Sequence, residues 1–326
     1  MGQIAVLSYH GWEIDPERLI DDVTSLRRDG WRDCALAQLH EMVSGASGCD
    51  RNYFHVTLDD GAEQDLACVE ALGQASCACT LFISLDAMSA AARVAYRTLL
   101  ADTGAGNVAI GDHSLRHNRT FHSRRVIGFH SDEAPLMTSP DRHGLRTGDP
   151  VCAYGGELAR PCFVPDPRAS DWCRRAVVGI AAAPGAAAWT EALSESLIGA
   201  GLAFRRLGRL CVAGRYETRE QFRARIAPYL REGRDRLAAF TRRAPIAFAH
   251  PWWQPSPTAD ECLLSLGYRL TFSGHGVWRH GHRSAIPRLF VSNETARPLA
   301  PDRASASGAR SSWAAARELG RRALWA

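Results

Sequence analysis

The chain has ten cysteines but no C-x-x-C pair, and only Cys77 and Cys79 stand close together. The paired spacing of a zinc ribbon is therefore absent. No run of about 18 apolar residues exists to cross a membrane. The opening residues, Met1–His10, lack a basic segment followed by a long apolar run, so they do not read as an export signal. Val6 stands where a myristoylation signal needs Ser or Thr. A disulfide framework is disfavoured in a chain of 326 residues without such a signal, and the expectation is a cytoplasmic protein with reduced thiols. No internal repeat is present. The net charge is only +4, with arginines scattered among acids, which argues against a nucleic-acid partner.

What is present is globular composition, 46% hydrophobic and 23% charged, enough for a large core. Over the first 120 residues short apolar runs alternate with helical patterns. Strands are expected at Ile4–Ser8, Phe54–Leu58, Cys79–Ser84 and Val108–Ile110. Helices are expected from Asp15-Pro16 to Asp29, over Leu36–Met42, over Asp65–Leu72 and over Ala87–Leu100. Alternation resumes with strand Ile246–Ala249, helix Thr258–Leu266, strand Tyr268–Phe272 and a last strand near Leu289–Val291. This order argues for a parallel sheet or an α/β barrel.

Between these halves lies a long insertion, residues 118–244. Its first part, to about Asp171, is rich in Arg, His, Gly and Pro and reads as loops; from Trp172 to Arg243 it reads as helical. Residues 1–296 are expected to form one catalytic domain, with 297–326 a partly disordered tail or terminal helix. The tail carries Trp313, Leu319, Leu324 and Trp325 among arginines. A docked or frayed terminal helix is preferred there over weak contact with a membrane surface.

Two clusters carry chemistry. In Val56-Thr57-Leu58-Asp59-Asp60-Gly61 an apolar strand ends in two carboxylates and a glycine. α/β barrels place their active sites at such strand ends. The pleat points the two carboxylates apart, so they can take different roles, and Gly61 permits an immediate turn. In Gly111-Asp112-His113-Ser114-Leu115-Arg116-His117 two histidines stand four apart, read here as one face of a helical turn. One carboxylate and two imidazoles make a three-ligand site with an open position, the pattern of a hydrolytic metal centre. The spare carboxylate is then a candidate base.

Thr57-Leu58-Asp59-Asp60-Gly61 resembles the Thr-Phe-Asp-Asp-Gly motif of the polysaccharide deacetylases, carbohydrate esterase family four. His113-Ser114-Leu115-Arg116-His117 is similar to the family's His-Ser/Thr-x-x-His motif. Leu7-Ser8-Tyr9-His10, Phe248-Ala249-His250-Pro251-Trp252-Trp253 and Ile286-Pro287-Arg288-Leu289 resemble blocks of the branch that includes biofilm-polysaccharide deacetylases. The resemblance implies a distorted (β/α) barrel of about seven strands, the NodB-like fold. It implies metal ligands Asp60, His113 and His117, usually for zinc, and Asp59 as general base. Among the histidines that could protonate the leaving amine, His275 is the first choice, ahead of His250, His280 and His282. His10, His250, Trp252 and Trp253 are candidates for binding the sugar. Trp253 replaces a glycine of the family block, which favours a small or terminal sugar over a long polymer.

The expected activity is removal of an N-acetyl group from an amino sugar or a biosynthetic intermediate containing one. The rivals are a deformylase or other amide hydrolase on a lipid-linked or nucleotide-linked sugar, a metal-free amidase, and an inactive carbohydrate-binding homologue.

Overall fold

The computed structural model describes residues 2–102, 107–132, 143–180, 186–274 and 285–295. The chain forms two compact units, Met1–Arg116 with Tyr229–Ala326, and His117–Pro228.

The first unit opens with strand β1 (Ile4–Tyr9), helix α1 (Pro16–Arg28), the short strand β2 (Arg32–Asp33), helix α2 (Leu36–Ser44), β3 (Tyr53–Leu58), α3 (Asp65–Gln74), β4 (Cys79–Ile83), α4 (Ala90–Asp102) and β5 (Val108–Asp112). Each expected strand and helix of this stretch forms, with ends shifted by a few residues. α1 shows why. Pro16 occupies its first turn, where a missing N–H costs nothing. Leu19, Val23 and Leu26 fall on one face and are buried.

The second unit contains β6 (Arg119–Phe129), β7 (Pro150–Gly156), β8 (Phe163–Pro165), α5 (Pro167–Ile180), α6 (Ala186–Gly199), β9 (Ala203–Arg206), β10 (Arg209–Val212) and β11 (Gly214–Tyr216). The chain then runs through α7 (Arg219–Thr241) into β12 (Ala247–Ala249), a 3-10 turn at Pro251–Trp253, α8 (Pro257–Ser265), β13 (Leu270–Gly274) and β14 (Ile286–Phe290).

In the first unit seven parallel strands close a ring in the order β1-β14-β13-β12-β5-β4-β3, and β3 returns to pair with β1. The expected seven-stranded barrel is therefore the observed one. β2 is an appendage on the start of β3. Core residues come from both surfaces of the ring: Leu7, Val56, Leu58 and Leu81 pack in one cluster, and Ile4, Val6, Phe82, Ala249 and Phe272 in another. Burial of each of the larger side chains among these contributes about 1.5–3 kcal/mol.

The second unit differs from the expectation at its start. Where Arg, His and Gly read as loops, β6 and β7 pair antiparallel in a four-stranded sheet, β7-β6-β10-β9. The register shifts between Phe121 and Val126 and again between Val126 and Gly128. Such bulges break the alternation that marks a strand, so the segment loses its period in the sequence. The helices α5 and α6 form as the Ala- and Leu-rich composition suggests. The β9–β10 hairpin between α6 and α7 carries no clear signal apart from its turn.

Candidate metal centre

The two carboxylates at the end of β3 face different partners. Asp59 is buried, and its Oδ1 accepts from Arg288 Nη1 at 2.6 Å. Ser8 Oγ donates to its Oδ2 at 3.3 Å. Asp60 lies half-buried on the other side, with Oδ1 at 3.3 Å from His113 Nε2 and Oδ2 at 3.9 Å from His10 Nε2. Both Asp60 and Gly61 are left-handed, with φ of 76° and 77°. Gly61 takes that conformation without strain, whereas Asp60 holds it at a cost of order 1 kcal/mol. A side chain at Gly61 would also crowd Ile83 at 3.3 Å.

Asp60, His113 and His117 each offer a ligand atom, and the three atoms lie within 4.8 Å of one another. His113 Nδ1 stands 2.9 Å from the carbonyl of Ala249. A carbonyl only accepts, so Nδ1 carries a proton, and Nε2, on the side of Asp60, is the nitrogen left to ligate a metal. This is the tautomer a metal needs. The donor set of two imidazoles and one carboxylate fits a divalent ion such as zinc.

The helical turn expected for the two histidines is not there. Residues 113–118 form bends outside any helix, and Ser114 and His117 are left-handed at φ 66° and 55°. Two left-handed residues within five positions, instead of helical periodicity, accompany the approach of the two rings. The segment is fastened by neighbours. His113 N donates to Ile83 O at 3.0 Å, Ser84 Oγ donates to His113 O at 2.8 Å, and Ser114 N donates to Asp112 Oδ1 at 2.8 Å. Tyr268 donates to the other oxygen of Asp112. Burial pushes the Asp112 carboxyl up to about 6 against these bonds.

Burial alone would raise the Asp59 carboxyl too. The charge of Arg288, the proximity of His113 and the bond from Arg288 outweigh it and hold the group below the usual carboxylate range. Arg288 itself is buried, its guanidinium 5.5 Å from the centre of the Phe82 ring. In the sequence, Arg288 stands only as part of a closing strand. Its signal was a lone arginine inside Ile-Pro-Arg-Leu-Phe, a charge in a barrel strand that must have a partner.

An aromatic group adjoins the triad. His10 stacks on Trp12 at 4.8 Å and tilts against Phe290 at 5.6 Å. Trp253 meets Phe290 at 5.0 Å and His10 at 6.3 Å. Trp12, 49% exposed, was not among the expected sugar-binding residues. His10 Nδ1 is held by Glu13 Oε2 at 2.8 Å. Burial opposes its charge, but Glu13, Asp60 and Asp59 together raise its pKa. Trp252 and Trp253 are both left-handed, at φ 59° and 53°. Gly274 makes room for this, since a Cβ there would fall 2.4 Å from Trp253 Cβ.

His250 departs from its expected role. Its ring has no exposed surface, and Nε2 bonds Asp260 Oδ1 at 2.8 Å. That places it in the support of the loop after β12 and not on a surface open to a sugar. His275, with His280 and His282, lies outside the described residues, as does the tail from 296. His122 bonds the carbonyl of Gly156 at 3.1 Å and is pushed down to about 4, chiefly by burial. Arg119 and Arg124 lie over aromatic rings.

No protein-family model matches the sequence, and no curated protein matches it. Solved structures do. The BpsB deacetylase domain from Bordetella bronchiseptica is 14% identical, with 89% of this chain and 96% of that chain covered and a TM-score of 0.56. IcaB from Ammonifex degensii is 15% identical over 90% of this chain and 94% of that chain, with a TM-score of 0.53. A de-N-acetylase from Aggregatibacter actinomycetemcomitans is 13% identical over 90% and 97%, also at 0.53. The chain thus has the fold of these proteins, the NodB-like barrel that its motifs imply.

Proposed function

We propose that this chain is a metal-dependent N-deacetylase acting on an amino sugar. The observation that carries the reading is the division of labour at one strand end: Asp60 meets the imidazoles of His113 and His117, while Asp59 is clamped by Arg288. The fold adds support, since the named neighbours are deacetylases.

Asp60, His113 and His117 would hold the ion, with zinc expected. When bound, a divalent ion supplies Lewis acidity, which activates water and polarises an amide carbonyl. Asp59 accepts the proton of the attacking water at a carboxylate oxygen. Arg288 keeps that carboxylate ionised and aimed. His275 is the proposed donor of a proton to the leaving amine. His10, Trp12, Trp252 and Trp253 are the proposed wall against which the sugar ring packs. The substrate is proposed to be a cytoplasmic biosynthetic intermediate: a sugar nucleotide, a lipid-linked sugar or a glycosylated metabolite. The ten cysteines, all free thiols, favour a reducing compartment. No helix among the described residues is long and apolar enough to cross a membrane.

Metal content measured by mass spectrometry, for the wild type and for His113→Ala/His117→Ala, tests the centre. About one divalent ion per chain, lost in the variant, is the expected result. Acetate release from N-acetylated amino sugars then tests the reaction. Formate release from N-formyl sugars, without acetate release, would replace the reading with a deformylase. No metal in either protein after reconstitution with zinc or cobalt would overturn the mechanism.

A further inference from the structure

The β9–β10 hairpin turns through Leu207 and Gly208, and both are left-handed, with φ of 50° and 72°. A two-residue turn of this kind favours Asn-Gly, because both positions need positive φ. A leucine has no conformational reason to stand there. It has no packing reason either, since Leu207 is 93% exposed. Immediately beneath the turn, Arg206 and Arg209 are directly paired across the two strands. Like charges in that position repel. Arg205 has Glu195 at 2.6 Å, but Arg206 and Arg209 have no acidic partner among the described residues.

The two faces of the hairpin are unlike. Ala203, Leu210 and Val212 enter the core of the second unit. On the alternate face Phe204, Arg206 and Arg209 are exposed, and Cys211 is buried. The Arg124 guanidinium lies 5.8 Å from the Phe204 ring centre and 5.9 Å from that of Tyr216, so the same surface combines cations with exposed aromatics. The chain contains no lysine, and all its fixed side-chain cations are guanidinium groups. Guanidinium is weakly hydrated and pairs with phosphate through two bonds.

We propose that this hairpin docks on an anionic phospholipid surface. Leu207 enters the boundary between headgroups and acyl chains, while Arg206, Arg209 and Arg124 meet lipid phosphates. Docking relieves both unfavourable features, the stranded leucine and the facing arginines. A soluble polyanion would relieve only the second. The inference is independent of the metal centre.

The test is sedimentation of the full chain with vesicles of phosphatidylcholine, alone or mixed with phosphatidylglycerol. The expected result is binding to the anionic vesicles only, weakened by salt. Leu207→Asn suits the turn, so it should melt at the same temperature or higher, yet bind about tenfold less tightly. Arg206→Gln/Arg209→Gln should lose about fivefold for each arginine. Absence of wild-type binding would overturn the proposal, as would both variants binding like the wild type. Loss in the arginine variant alone, with Leu207→Asn unaffected, would overturn the lipid assignment in favour of a soluble polyanion.

Discussion

The strands of the barrel and those of the second unit are written in different kinds of sequence. β1 reads Ile-Ala-Val-Leu-Ser-Tyr, and all six residues are buried. β6 reads Arg-Thr-Phe-His-Ser-Arg-Arg-Val-Ile-Gly-Phe, and only Thr120, Phe121 and Phe129 are buried. A parallel barrel strand is covered on both faces, so it appears as an unbroken apolar run. An antiparallel strand with one wet face carries polar residues throughout, and bulges disturb its alternation. The difference also separates two kinds of chemistry. In the barrel, polar groups at strand ends are buried and individually matched. In the second unit more of them lie on a solvated face, with matched pairs such as Glu217–Arg225 and Asp149–Arg174 among them.

The contrast is sharpest at Asp59. Asp59→Asn should lower turnover by about a thousandfold while leaving the metal in place, as read by acetate release and metal analysis on one sample. Wild-type turnover would remove Asp59 from the base role. Arg288→Leu should come next. It strands a buried carboxylate, at a cost of about 3–5 kcal/mol in a denaturant titration. Because the paired Asp59 carboxyl lies below the usual range, its stabilisation is present at neutral pH and lost as pH falls through that depressed value. In Arg288→Leu burial is less opposed, so the acid limb of the activity profile should move to higher pH. An unmoved limb would show that another group holds Asp59.

An effect of similar size but opposite sign is expected at Asp65, which accepts from Gly11 N at 2.8 Å and Tyr96 Oη at 3.0 Å. Burial is the main cause that pushes its carboxyl up to about 7. Its neutral form therefore suits the fold. That stabilisation is complete below the unfolded carboxyl's value near ~4 and is lost as pH rises through about 7. Asp65→Asn should flatten a slope worth on the order of 4 kcal/mol in melting or denaturant curves across that window. Equal slopes in both proteins would count against a neutral Asp65. The smallest change is expected in the second unit. Glu217 there binds Arg225 through both oxygens, at 2.7 and 2.9 Å, and accepts from Cys162 N at 2.9 Å. Glu217→Gln should cost only about 1–2 kcal/mol, with metal content unchanged. A loss as large as that of Arg288→Leu would erase the distinction between the two regions.

Much of the barrel was legible because its signals are local. Apolar runs such as Cys79–Ile83, the proline in the first turn of α1 and the Asp59-Asp60-Gly61 strand end each declare themselves within a few residues. The grouping of Asp60 with His113 and His117 was legible for the same reason, but its geometry was not: left-handed residues, which leave no period in a sequence, stand in place of the expected helical turn. Trp12 carries no such signal, because an exposed aromatic near a turn looks like any other. The burial of His250 is likewise not legible, because position in a motif does not reveal it.

By itself, the sequence determined which segments of the barrel must be buried strands, which helices separate them, and where carboxylates and imidazoles sit along the chain. Short-range patterning and backbone sterics suffice for that. Only the tertiary structure decided which carboxylate is clamped and which faces the imidazoles. Arg288 stands 229 residues from Asp59, and closing the barrel brings β14 against β1, two strands from the start of that contact in space and most of the chain away in sequence. A charge buried in a strand demands a partner, but only ring closure selects which one, because pairing across that distance depends on strand order and register.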